Sequence, residues 1–255
     1  LALLTSVPMA LRAAEAPADL PAAAVAEAIT VQVLGPVPAS GTLVKQVGDR
    51  YTVLTAWHVL AAVRPGEPIE LQTHDGRLHA LAEPPRRLEP GLDLGVLVFQ
   101  APGSYTVARA ADVKLAAPGQ PVIVAGFPLA TATIPARTFR LREGRIEGLL
   151  PAASAPQGYR LLYNVTGSTL PGMSGGPVLR TDGLLLGIHG RADTSTRSSD
   201  QQDVLIRTGT SLGIPLDASL AERLALRLQS EAPTIRPPAP EPVREPVRER
   251  VIIRE

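Results

Sequence analysis

From residue 28 to residue 190 the apolar positions fall in short runs separated by glycine, proline or polar clusters. "AITVQVLG" (28–35), "YTVLT" (51–55), "PIELQT" (68–73), "DLGVLVF" (93–99) and "PVIVAGF" (121–127) have the length and apolar content of strands. So do "RTFRLREGRIEGLL" (137–150), "YRLLYNV" (159–165), "PVL" (177–179) and "GLLLGIHG" (183–190). Little helical periodicity intervenes, so the succession predicts an all-β sandwich or barrel rather than alternating β and α units.

The period changes near the C-terminal end. Over residues 217–230, Leu220, Leu224 and Leu228 recur at four-residue steps, with Arg223 and Arg227 off that stripe. "SLAE" (219–222) fits a capping box, the Ser219 hydroxyl taking a free N–H and Glu222 reaching back. A helix laid against a β core is expected there. The first residues, "LALLTSVPMALRAAEA", read as the remainder of a secretory leader, with cleavage after Ala16 or within Ala22–Ala24, or else as an alanine-rich arm. This stretch is too short and interrupted to span a bilayer. After Ala232, "PTIRPPAPEPVREPVRERVIIRE" repeats E-P-V-R and reads as a solvated tail or docking arm. The expected organisation is a leader or arm over 1–27, a folded domain over 28–230 and a flexible tail over 231–255, in an exported (secreted or periplasmic) protein.

Composition narrows the function classes. The 255 residues are 45% hydrophobic and 19% charged, which suits a folded chain. A net charge of +1 gives no electrostatic case for nucleic acid or an anionic membrane, and 3% aromatics argues against base-stacking surfaces. The absence of cysteine excludes disulfides, cysteine nucleophiles and thiolate metal sites. His74 and His79 flank "DGR" in a hairpin and lack metal-ligand spacing, so no metal or other cofactor is expected and a surface-loop role is the default.

Three segments carry candidate chemistry. "TAWHV" (55–59) places His58 after a strand, "DLGVLVF" begins with Asp93, and "PGMSGGPV" (171–178) sets Ser174 among glycines. A serine hydroxyl needs an imidazole to take its proton, and the imidazole needs a buried carboxylate to hold its tautomer. Each residue alone is compatible with a structural role, whereas the three in this order and these contexts point to nucleophilic catalysis.

The three segments resemble the signatures T-A-x-H, D-[IL]-[AG]-[LV] and G-x-S-G-G-P of chymotrypsin-like (trypsin-fold) serine proteases, over roughly residues 28–216. The resemblance implies His58 as general base, Asp93 as its orienter and Ser174 as nucleophile, with the amides of Gly172 and Ser174 forming an oxyanion hole. It implies an all-β fold of two antiparallel six-stranded β-barrels, the triad in the cleft between them, and a C-terminal α-helix. Protein or peptide substrates follow, with no nucleic acid and no stable membrane insertion.

Ser168 stands six residues before Ser174, where trypsin carries an aspartate, so no countercharge for a basic side chain is expected. Thr169 and His189 are placed as in glutamyl endopeptidases of this fold, in which a hydroxyl and an imidazole hold the substrate glutamate. That likeness implies an acidic residue before the scissile bond, with Arg191 adding charge; the alternative is that His189 only packs in the cleft wall. "ADTSTRSSDQQD" (192–203) reads as a polar loop beside the pocket. Two alternatives accompany the protease reading. Periplasmic stress proteases carry an Asn where this chain has Met173 and add a PDZ domain; a protease-fold binding module without turnover generally loses triad members.

Overall fold

The structure, a computed structural model, describes residues 20–199 and 202–229; the leader over 1–16 and the tail over 231–255 lie outside the described residues. The first half consists of α1 (Ala22–Ile29), β1 (Thr30–Leu34), β2 (Ala39–Val47), β3 (Arg50–Ala56) and α2 (Trp57–Ala61), followed by β4 (Glu70–Gln72), β5 (Leu78–Ala80), β6 (Arg86–Arg87) and β7 (Leu94–Gln100). The strands form one antiparallel sheet in the order β5-β4-β1-β2-β3-β7-β6. A bridge between Leu81 and Phe99 draws its ends together, so the sheet curls into a barrel without a continuous closing ladder.

The second half contains β8 (Ala110–Ala111), β9 (Pro121–Gly126), β10 (Arg140–Leu149), β11 (Leu161–Val165), β12 (Pro177–Arg180), β13 (Leu185–Ser199) and β14 (Gln202–Pro215), then α3 (Ala218–Leu224) and β15 (Leu228–Gln229). The order β12-β9-β10-β11-β14-β13 closes on itself through β12–β13 pairing, giving a six-stranded barrel. The fold is thus the expected chymotrypsin-like one: two barrel-like sheets and a C-terminal helix, with the first sheet the less completely closed.

Local departures from the sequence pattern have physical causes. Residues 22–29, expected as a flexible arm running into a strand, form α1, because "AAAVAEAI" combines helix-favouring alanines with an apolar stripe. Ala22, Val25, Ala26 and Ile29 are buried on that stripe, and α1 packs on β9 and β12 while its chain continues into β1. A leader cut within Ala22–Ala24 would remove the first turn of this packed helix; a cut after Ala16 would leave it whole.

Helix α3 is shorter than the leucine spacing suggested. Its cap is Asp217, whose carboxylate accepts from the Leu220 N–H at 3.0 Å, and not Ser219. The helix ends where Ala225 turns into the left-handed region, and Leu228 pairs in β15 beside Ala110. The polar stretch 192–203 is paired rather than looped over its described residues, 192–199 and 202–203. Its Thr and Ser residues continue β13, whose ladder with β14 runs from Gly187–Pro215 out to Ser199–Gln202.

Replacing Ile29, which is fully buried, by Ala is expected to cost about 2–5 kcal/mol in urea unfolding. Replacing the exposed Glu27 of the same helix by Ala should stay within about 0.5 kcal/mol. Equal effects would show that α1 does not brace the barrels.

Candidate active site

The register of two neighbouring strands brings the first two candidates together. Thr55 pairs with Gly95 and Ala56 with Leu94, so the end of β3 lies beside the start of β7. His58 follows on α2 and Asp93 immediately precedes β7. His58 Nδ1 lies 2.7 Å from Asp93 Oδ2, and the His58 backbone N–H donates to Asp93 Oδ1 at 2.6 Å. Because an ionised carboxylate only accepts, Nδ1 carries a proton towards Asp93, which leaves Nε2 as the lone-pair nitrogen of the neutral ring. Asp93 is buried while the His58 side chain is 44% exposed, so the carboxylate anchors an imidazole that reaches solvent.

Burial alone would raise the Asp93 carboxyl, but hydrogen bonds from His58 and Tyr159 outweigh it and hold the group below its ordinary value. The second barrel also grips this residue. The Asp93 N–H donates to Gln157 O at 3.0 Å, and the Tyr159 hydroxyl donates to Asp93 Oδ2.

Ser174 occupies the turn before β12. Gly172 (φ 92°) and Gly175 (φ 89°) both sit in the left-handed region. Space is as restrictive as conformation: a Cβ on Gly175 would stand 2.8 Å from Thr55 Cα, and one on Gly172 2.7 Å from the Leu129 nitrogen. Gly175 therefore lies directly against Thr55, three residues before His58. The Met173, Gly175 and Gly176 amides donate to Leu170, His189 and Met173 carbonyls. Those of Gly172 and Ser174 have no protein acceptor among the described residues.

Ser40 ties this turn to the first barrel. Its N–H donates to Ser174 O at 2.9 Å, and its hydroxyl donates to Gly172 O and accepts from the Phe127 N–H, both at 2.8 Å. Its carbonyl accepts from the Thr55 hydroxyl at 2.7 Å, while the Thr42 hydroxyl donates to Gly175 O at 2.9 Å.

The candidate specificity residues separate. His189, on β13, is buried, with Nδ1 2.5 Å from the Tyr163 hydroxyl. Burial, then the nearby His58, lowers His189 to about 3, so its ring is neutral. Burial keeps the Tyr163 phenol protonated. Its hydrogen has no other acceptor among the described residues, which places the His189 proton on Nε2. Thr169 Oγ1 pairs with the buried Ser211 hydroxyl at 3.1 Å, and Ser211 is the cross-strand partner of Tyr163. Ser168 instead takes a half-buried, left-handed position (φ 60°) in the turn after β11, and Arg191 lies with Cζ 4.9 Å from the Tyr159 ring centroid.

His79 is not a bare surface residue. It packs on Phe99 at 4.5 Å between ring centroids, with Nε2 3.1 Å from the Thr73 hydroxyl, whereas His74 is exposed. Among the described residues no cluster of three or more His, Asp or Glu side chains is placed to hold a metal ion. Among them also, no helix is long and apolar enough to cross a membrane. Ser40, Thr42, Tyr159, Tyr163 and Ser211 carry no sequence motif; their roles arise from strand pairing across the fold.

Two barrel-like sheets with a His–Asp couple and a glycine-framed serine between them define the trypsin-fold class of serine protease. A family model for the trypsin-like peptidase domain matches residues 39–188, more than half of the chain, and the chain belongs to that family. No curated protein sequence matches it. Among solved structures it is similar to the protease Rv3671c in its inactive form, at 22% identity and a TM-score of 0.55, covering 84% of this chain and 96% of that one. An inactive-form serine mutant of Rv3671c from M. tuberculosis H37Rv gives 20% identity, a TM-score of 0.55 and coverage of 85% and 96%. The HtrA-type protease AlgW with a tripeptide gives 18% and 0.55, covering 80% of this chain and 61% of that one. At these identities the likeness is one of fold.

Two predictions follow from this geometry. Ser40→Ala leaves the buried Gly172 carbonyl and Phe127 amide without their partner and is expected to cost about 3 kcal/mol in urea unfolding. The second concerns pH. Unfolded, the His189 imidazole binds a proton below about 6.5; folded, only near 3. The unfolded state thus holds the extra proton between these values, and stability falls as pH drops from about 6.5 towards 3. Between about pH 6 and pH 4, His189→Gln should flatten the pH dependence of unfolding free energy by up to about 1.4 kcal/mol per pH unit. An unchanged slope would mean that His189 is not buried neutral.

Proposed function

We propose that the protein is a serine endopeptidase that cleaves through an acyl-enzyme, with His58 as base, Asp93 as its orienter and Ser174 as nucleophile. The observation that carries this reading is the His58–Asp93 couple at 2.7 Å, which keeps the Nε2 lone pair free to accept a proton. Ser174 Oγ bonds to the substrate carbonyl carbon as its proton passes to Nε2. The resulting oxyanion is received by the unbonded amides of Gly172 and Ser174. Collapse breaks the carbon–nitrogen bond, with His58 returning the proton to the leaving amine. Water then repeats the sequence on the ester.

The reading extends to an acidic residue before the scissile bond. It is supported by the His189 tautomer, whose Nε2–H is a donor to a carboxylate, and by the Thr169 and Ser211 hydroxyls on neighbouring elements. A carboxylate beside His189 would draw it towards its protonated form, opposing the effect of burial.

Intact-mass detection of a fluorophosphonate adduct tests the catalytic reading. One adduct is expected on the wild type and none on Ser174→Ala, with His58→Ala labelling at least roughly 100-fold more slowly. Folded wild type that takes no adduct would overturn the hydrolase in favour of a binding module. For specificity, the rate ratio of matched Glu and Gln peptides should favour Glu and collapse in His189→Ala; an unchanged ratio would remove His189 from recognition.

A further inference from the structure

Tyr159 belongs to none of the three catalytic segments, yet its hydroxyl ends on the carboxylate that serves them. We propose that Tyr159 is the positioning residue of Asp93, and that residue 190 is glycine in order to admit its ring. The proposal rests on the serine-protease reading above.

Three observations carry it. Asp93 Oδ2 takes two donors, His58 Nδ1 and the Tyr159 hydroxyl, so the phenol shares the oxygen that holds the imidazole. Tyr159 is buried, which fixes the ring by packing rather than leaving it to solvent. The room for it comes from Gly190 on β13: a Cβ there would stand 2.7 Å from Tyr159 Cζ and 2.8 Å from its hydroxyl oxygen. No larger residue fits beside the ring unless the ring moves, so the two residues form one device. Arg191 covers the ring with its guanidinium.

The chemistry suits a permanent donor. Burial, together with the Asp93 carboxylate, raises the phenol above its ordinary value, so it stays protonated at any working pH. It stabilises the carboxylate without becoming an acid or base in the reaction. Among the described residues, the charged or titratable groups around it and its carboxylate are Asp93, His58, Arg191, Tyr163 and the neutral His189 beside His58. With the hydroxyl removed, Asp93 would direct more of its charge at His58 and lose one of the bonds that hold its plane. The imidazole would keep its proton more tightly, so the site would need a higher pH to supply a base.

The test is Tyr159→Phe, which deletes one oxygen and keeps the ring. Fluorophosphonate labelling at neutral pH should slow roughly 10-fold, and the acid limb of the pH–labelling profile should move to higher pH. Gly190→Ala, which retains the phenol but displaces it, should move the limb in the same direction. A readout independent of turnover is the downfield proton resonance of the His58 Nδ1–H in a Ser174→Ala background. That resonance should shift on adding Tyr159→Phe. An unchanged profile together with an unchanged resonance in folded Tyr159→Phe would overturn the positioning role. Absence of labelling in the wild type would instead sink the protease reading, while the resonance still reports on Tyr159.

Discussion

Ser40 is the constraint on which the candidate site depends, because it joins the Ser174 turn to the barrel that carries His58. Its amide, carbonyl and hydroxyl are all engaged, and they reach Ser174, Gly172, Phe127 and Thr55. These partners belong to both halves of the chain. A buried hydroxyl bonded to two backbone groups permits little displacement, since any shift strands a polar group away from water. Beside it, Arg137 donates to the carbonyls of Ala39 and Phe127 at 2.7 Å each, and burial lowers that guanidinium to about 10. The cleft is thus pinned by polar bonds through an otherwise apolar interior.

Electrostatics divides the labour within the cleft. Asp93 is buried and stays ionised because three donors meet it; His189 stays neutral because burial, and then the nearby His58, disfavour its charged form, and its partner is a phenol rather than a carboxylate. The two imidazoles accordingly differ in environment despite their proximity, one held by a charge and the other by a neutral hydroxyl. The same β13 segment supplies His189, the close-packed Gly190 and Arg191, so one strand carries the buried imidazole, the space for the Tyr159 ring and the long hairpin with β14.

Much of the architecture was legible as pattern. Short apolar runs identified most principal strands, and the three signatures marked segments that the fold sets side by side, His58 on Asp93 and the Ser174 turn against Thr55. What escaped was set by partners rather than by local preference. Residues 22–29 became a helix because their stripe could be buried on β9 and β12. Residues 192–199 became a strand because β14 was there to pair with them. Leu228 left its helical period once Ala225 adopted a left-handed conformation and Ala110 offered a strand edge.

By itself, the sequence determined the β character of the chain, the identity of its catalytic candidates and the absence of thiol chemistry, because side-chain type and local periodicity are intrinsic to it. Tertiary structure alone decided which hydroxyls support those candidates. Tyr159 meets Asp93 across 66 residues, Ser40 meets Gly172 across 132, and Tyr163 meets His189 through a sheet. A tyrosine or serine of ordinary spacing becomes functional only when a distant strand brings a buried acceptor within hydrogen-bond reach.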